Sequence, residues 1–215
     1  MININFPELV GDIFSLVDVG SKRFLTNKVD RSVTGLIAGQ SCIGPFHTPI
    51  GDNGIIAASM FGNSGAVTSI GEQPLKEDIK SMVRMTFVEM LTNMMGAVIS
   101  DIRNIKCSGN WMWPNNWEGS KYNLYEACSE MTSFANGLGV AFDGGKDSLS
   151  MIHVDENRVK TKCPETLVIS GYVDMPNVEC VATPYLKFKD SELILVDLGF
   201  GFRRIGGSAL LRALF

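Results

Sequence analysis

Histidine is nearly absent from this chain. Only His47 and His153 occur, more than a hundred positions apart, and His47 sits in a Pro-bounded loop, so a metal site built on histidine is not expected. Cysteine is present five times (Cys42, Cys107, Cys128, Cys163 and Cys180), but the count is odd, the spacings are wide and no C-x-x-C occurs. That pattern excludes a disulfide framework and a cysteine zinc site, and fits reduced thiols in a cytoplasmic protein. Basic excess is missing too. The formal net charge is −4, which gives no broad attraction for nucleic acid or an anionic membrane, although a local basic pocket for a phosphate stays open. No apolar run approaches a membrane span, and MININFPELVGD lacks a basic region followed by an apolar core, so neither a membrane anchor nor a leader is expected. No internal repeat or low-complexity stretch stands out.

What remains is ordinary globular composition, 45% hydrophobic and 20% charged, which supports a packed core. Short β-like runs bounded by Gly, Pro, Asn and Asp predict strands at 23–25, 54–60, 105–108, 149–154, 167–173 and 192–198. Apolar residues at helical spacing predict one helix from about Leu75 to Asp101 and another from about Lys121 to Asn136, the second closed by Gly137. Helices and strands mix without strict alternation, which favours an α+β layer of helices on a mostly antiparallel sheet. Composition shifts near Thr183-Pro184, and the charged run 187–192 leads into the apolar stretch 193–198. The boundary expected from this divides the chain into 1–185 and 186–215, the latter reading as the opening of a second domain.

Chemistry is suggested at four places. On the first helix, Glu89 is the only charged residue between Met85 and Ile99, and Asn93 follows it at i+4, so both side chains share one face. A carboxylate on a largely buried helix needs a partner or a cation. Carboxylate plus amide oxygen is a set that Mg²⁺ accepts, while a plain solvated helix face accounts for the same spacing. Asp52, in Ile50-Gly51-Asp52-Asn53-Gly54 before an apolar strand, is read either as an aspartate capping its own turn or as a further ligand. Asp143-Gly144-Gly145-Lys146-Asp147-Ser148 is read either as a phosphate-binding nest, with Gly145 and Lys146 as its contacts, or as a tight turn; the spacing is not that of a Walker A loop. Gly206, Gly207 and Ser208 open the last short helix after a glycine-rich segment carrying Arg203 and Arg204, a place where a phosphate is favoured. Trp111, Trp113 and Trp117, without basic neighbours, read as loop and core packing, and the methionines of the first helix as core filling.

Longer strings narrow the field. FLTNKVDRSVTGLIAGQSCIGP (24–45), TPIGDNGIIAAS (48–59), FVEMLTNMM (87–95), DIRNIKCSGNWMW (101–113), LGVAFDGGKDSLSM (138–151) and LVISGY (167–172) occur in this order. Together they resemble the large, single-chain form of the phosphoribosylformylglycinamidine synthase family, over about Val19 to Leu210. The resemblance implies an AIR-synthase-like (PurM-like) domain, a β-sheet half-barrel packed with helices, followed by the beginning of a second α/β domain. It implies a carbon–nitrogen ligase of purine biosynthesis that uses ATP and glutamine-derived ammonia to turn formylglycinamide ribonucleotide into its amidine. It further implies an auxiliary Mg²⁺–ADP site in this part of the family's chain, with Asp52, Glu89 and Asn93 as the metal ligands, Gly51 against the nucleotide, and Lys22 near the active-site region. The chain departs from the family's pattern at Gly51 and Met90, both of which stand where alanine is usual. Catalytic and glutaminase domains of the same polypeptide are then expected outside these 215 residues, with the isolated chain inactive. Two other possibilities are a non-catalytic nucleotide-binding or structural homologue of the synthase, and another AIR-synthase-like ATP-dependent enzyme.

Overall fold

The computed structural model describes residues 5–27, 29, 35–74, 76, 78–202 and 208–214. The chain divides into two compact units, Asp30–Tyr185 and a second made of Met1–Val29 with Leu186–Phe215.

The larger unit is built on a six-stranded sheet. Its strands are β1 (Ile37–Gly39), β2 (Asn53–Ala57), β3 (Gly65–Glu72), β4 (Lys106–Met112), β5 (Ala141–Ser148) and β8 (Thr166–Met175), in the spatial order β1-β2-β3-β8-β4-β5. A separate hairpin pairs β6 (Ile152–Val154) with β7 (Lys160–Lys162). Every pairing in the main sheet is antiparallel except β4–β5, which is parallel. That pair needs a crossover, and helix α4 (Ser120–Leu138) lies between its strands in sequence. The mostly antiparallel sheet with helices agrees with the α+β expectation.

Alternation decides which face is covered. In β8, Leu167, Ile169, Gly171, Val173 and Met175 are buried while Tyr172 and Asp174 are exposed. Cys107, Gly109 and Trp111 of β4, and Val67, Ser69 and Gly71 of β3, continue the same buried face. Against it lies α3 (Ile79–Met94), which buries Met82, Val83, Phe87, Met90 and Met94. The core methionines confirm the packing role expected of them, although Met85 and Met95 are exposed. Phe87 sits at the centre, its ring 5.2 Å from that of Phe134 on α4 and 5.8 Å from that of Phe142 on β5. Trp111 and Trp113 are also core residues, and the indole N–H of Trp113 donates to the Ser120 carbonyl. Lys80–Glu126 and Arg84–Glu130 ion pairs tie α3 to α4 on the outside.

Several boundaries differ from expectation for local reasons. The first helix starts at Ile79 rather than near 75, because the Asp78 side chain accepts from the Ser81 N–H and caps it there. It stops at Met94, and the chain turns at Gly96 to form the Ala97–Val181 bridge. The second helix continues through Gly137 and is closed by Gly139, whose φ of 73° suits a left-handed cap. The DGGKDS segment is not a turn: it is part of β5, held by β4. Residues 23–26 form a short helix, α2 (Arg23–Thr26), instead of a strand.

The smaller unit holds α1 (Phe6–Ser15), α2 and α5 (Ala209–Leu214), with Arg212 of α5 paired to Asp18. The run 192–198, expected as a strand, takes no strand pairing among the described residues, and Leu193, Ile194, Leu195 and Val196 are all largely exposed. No described helix is long and apolar enough to cross a membrane.

Candidate functional site

The junction of α3 with the end of β3 gathers the best-founded candidates. Gly71 makes the close approach possible. A Cβ on it would stand 2.1 Å from the Thr86 carbonyl oxygen and 2.7 Å from the Met90 nitrogen, so no larger residue fits without moving the helix. Across the sheet, Gly171 leaves room for the Met90 side chain in the same way. With α3 this near, three of its residues bond directly to β3 and the chain beyond it. The Met90 carbonyl accepts from Ser69 Oγ at 2.7 Å. Asn93 Nδ2 donates to the Ile70 carbonyl at 2.9 Å. Glu89 Oε2 accepts from the Glu72 backbone N–H at 2.7 Å and from Gln73 Nε2 at 2.9 Å.

These bonds fix which atoms remain. The Ile70 carbonyl can only accept, so the amide nitrogen of Asn93 must face it and Oδ1 points elsewhere. One oxygen of Glu89 is engaged by two N–H donors, and the other, Oε1, receives no donor among the described residues. A half-buried carboxylate and a half-buried amide, one helical turn apart, thus each present one hard oxygen. Asp52 adjoins them through its neighbour. Asn53 opens β2 opposite Ser69, and its Nδ2 donates to the Asn93 carbonyl at 2.9 Å. Asp52 itself is exposed, and Gly51 before it is held by its N–H to the Ser41 carbonyl at 2.7 Å. The donor set of Asp52, Glu89 and Asn93 is chemically suited to Mg²⁺. Among the described residues, no group of three or more His, Cys, Asp or Glu side chains is placed to hold a metal.

The other candidates lie on other elements. Gly145 and Lys146 lie in β5, where the extended backbone does not form the nest expected of a glycine turn. Lys146 is exposed and donates to Ser148 Oγ at 2.6 Å, and across β4 its register partner Asn110 has a buried Oδ1 with no donor. Lys22 belongs to the smaller unit, at the N-cap of α2, where its ammonium donates to the Gly20 carbonyl. Ser208 precedes α5, and its hydroxyl accepts from the Leu211 N–H; Gly206 and Gly207 lie outside the described residues. Cys107 is buried in the core, and burial, with Asp143 nearby, pushes its thiol up to about 12.

Gln73 and Asn53 were not legible as site residues in the sequence. Their roles depend on β3 and α3 meeting, which no local pattern encodes.

Residues 21–174, well over half of the chain, match the family described as FGAR-AT PurM_N-like domain. The chain belongs to that family. Among curated relatives, the phosphoribosylformylglycinamidine synthase of Dictyostelium discoideum is 48% identical over 214 residues, and the human one 45% over 205. These alignments cover 95% and 92% of this chain but only 16% and 15% of those proteins. The family's fold is also recovered in solved structures. "T. maritima PurL complexed with ADP" superposes with a TM-score of 0.55 at 14% identity, covering 77% of this chain and 25% of that one. The PurM-like architecture expected from the sequence is therefore present.

Proposed function

We propose that this chain is one portion of a phosphoribosylformylglycinamidine synthase and that it carries much of an auxiliary Mg²⁺–ADP site. The observation that carries the proposal is the orientation of Glu89 and Asn93 by β3, which leaves one hard oxygen of each available on a helix that Asn53, the neighbour of Asp52, bonds through the Asn93 carbonyl. Asp52, Glu89 and Asn93 would hold the cation, and Gly51 would lie against the nucleotide. A bound Mg²⁺ would neutralise the diphosphate charge and fix its conformation. The residues of this chain position the ligand atoms; the covalent chemistry belongs to the remaining synthetase domains of the same polypeptide.

In the complete protein, ATP would phosphorylate the amide oxygen of formylglycinamide ribonucleotide, and ammonia released from glutamine by a glutaminase domain would displace the phosphate. The relatives' synthase names support this assignment, and the chain's share of their length supports its being a part. Within the chain, 1–185 would be the PurM-like N-terminal-type domain and 186–215 the start of the following one. Lys22 is proposed to serve the catalytic region. Lys146, with Gly145, and the segment Gly206, Gly207 and Ser208 are proposed phosphate contacts, Lys146 as an exposed point charge on an edge strand. A cytoplasmic location fits five free thiols, none of them in a disulfide among the described residues.

The direct test is Glu89→Ala in the full-length protein, with Mg²⁺–ADP binding measured by titration calorimetry. Affinity is expected to fall by at least about tenfold, the scale of a disturbed metal site. Unchanged affinity would remove Glu89 from the site.

A further inference from the structure

The Glu89 carboxylate is asymmetric in a way that bears on which cation it can take. Two donors converge on the same oxygen, Oε2: the Glu72 backbone N–H at 2.7 Å and the Gln73 amide at 2.9 Å. The first follows from the approach of α3 to Gly71 and is a property of the backbone. The second is a choice of side chain. Gln73 is the residue after β3, half-buried, and its amide nitrogen is placed to bridge from the strand's end to the helix.

Resting on the Mg²⁺ site proposed above, we infer that Gln73 is a positioning residue. With the Glu72 amide it occupies one carboxylate oxygen, so that Glu89 offers a cation a single ligand atom and the site favours Mg²⁺ over Ca²⁺.

The physical basis is coordination chemistry. Mg²⁺ demands a near-ideal octahedron at about 2.0–2.1 Å, whereas Ca²⁺ takes about 6–8 oxygens at about 2.3–2.6 Å and readily accepts both oxygens of one carboxylate. A carboxylate whose second oxygen already receives two N–H donors must break those bonds, or rotate away from them, to bind bidentately. Charge-assisted bonds of this kind are stronger than neutral ones, so the restraint is substantial. Asn93 is restrained in the same sense, because its nitrogen is bound to the Ile70 carbonyl and only Oδ1 is left. Both side chains of α3 therefore offer one oxygen each, in directions set by β3. Partners of metal ligands that orient them in this way typically alter affinity by about 10–100-fold when removed.

A merely structural role for Gln73, fastening the end of β3 to α3, would change stability and would weaken all cations alike. The discriminating readout is the ratio of two ions. On the full-length protein with ADP present, bound Mn²⁺ is followed by electron paramagnetic resonance and displaced with Mg²⁺ or Ca²⁺. Gln73→Met, which keeps the length and loses the donor, is expected to reduce the preference for Mg²⁺ over Ca²⁺ by about tenfold. Gln73→Lys, which keeps an N–H donor, is expected to retain the wild-type ratio, since its added charge acts on both ions equally. Far-UV circular dichroism checks that Gln73→Met is folded, with Gln73→Leu as a second donor-free variant. If Glu89→Ala abolishes Mn²⁺ binding while Gln73→Met leaves the ratio unchanged, or lowers both affinities by one factor, the metal site stands and the role of Gln73 is overturned. If Glu89→Ala binds Mn²⁺ as wild type does, the metal site itself falls, and the inference with it.

Discussion

Strand β8 and the run 193–198 are both rich in Leu, Ile and Val, yet one is a central strand and the other pairs with no strand among the described residues. In β8 the apolar residues alternate. Leu167, Ile169 and Val173 enter the core while Val168, Ser170 and Tyr172 face the other way, and both neighbours, β3 and β4, satisfy its backbone. Leu193 to Val196 is apolar without alternation, which is the pattern of a strand covered on both faces. Among the described residues of the smaller unit no layer covers it, and Leu195 is 88% exposed. An apolar run states a demand for burial; only neighbours with free hydrogen-bonding edges turn it into a strand.

That contrast can be tested by substitution, beginning where the effect is largest. Phe87→Ala removes the ring at the centre of the packed unit and is expected to cost about 3–5 kcal/mol, measured by urea unfolding. Gly71→Ala overpacks the approach of α3 to β3 and is expected to cost about 1–3 kcal/mol or more, since the clash is with backbone atoms rather than a flexible side chain. It should also disturb the Glu89 and Asn93 contacts, so loss of Mg²⁺–ADP affinity should accompany loss of stability. Leu195→Ser is expected to change the stability of the chain of these 215 residues by no more than about 0.5 kcal/mol, because that side chain is largely exposed. A large destabilisation by Leu195→Ser would break the comparison, and a small one by Phe87→Ala would break it from the other side.

The parts of the fold that were legible in the sequence are those where one element's own pattern decides. The helical spacing of Met82, Phe87, Met90 and Met94 marked α3, and the β-like run from Leu167 to Val173, bounded by turn residues, marked β8. Missed were the short β1 and β7 and, more tellingly, β3 and β5. Gly65–Glu72 has too few large side chains to signal a strand; its glycine and serine suit the close approach of a helix, which is a tertiary fact. Asp143–Ser148 reads locally as a turn because of its paired glycines, and it is extended because β4 pairs with it. The site followed the same division. Glu89 and Asn93 were visible as an i, i+4 pair on a helix, whereas the strand atoms that orient them come from 16 to 23 positions away in sequence and could not be read locally.

The order of strands in the sheet also sets a timetable. The central pairing joins β3 to β8, and roughly a hundred residues of chain separate the two. At about 5–20 residues per second on the ribosome, β3 would wait about 5–20 s for its partner to be made. During that interval one edge of β3 carries unpaired N–H and C=O groups, and the β2–β3 hairpin is free to pair wrongly. Helix α3 emerges straight after β3, and through Ser69, Ile70 and Glu72 its residues can hold that strand while the rest is synthesised. The polar contacts that aim the proposed cation ligands would then also act as a temporary guard on a growing sheet edge.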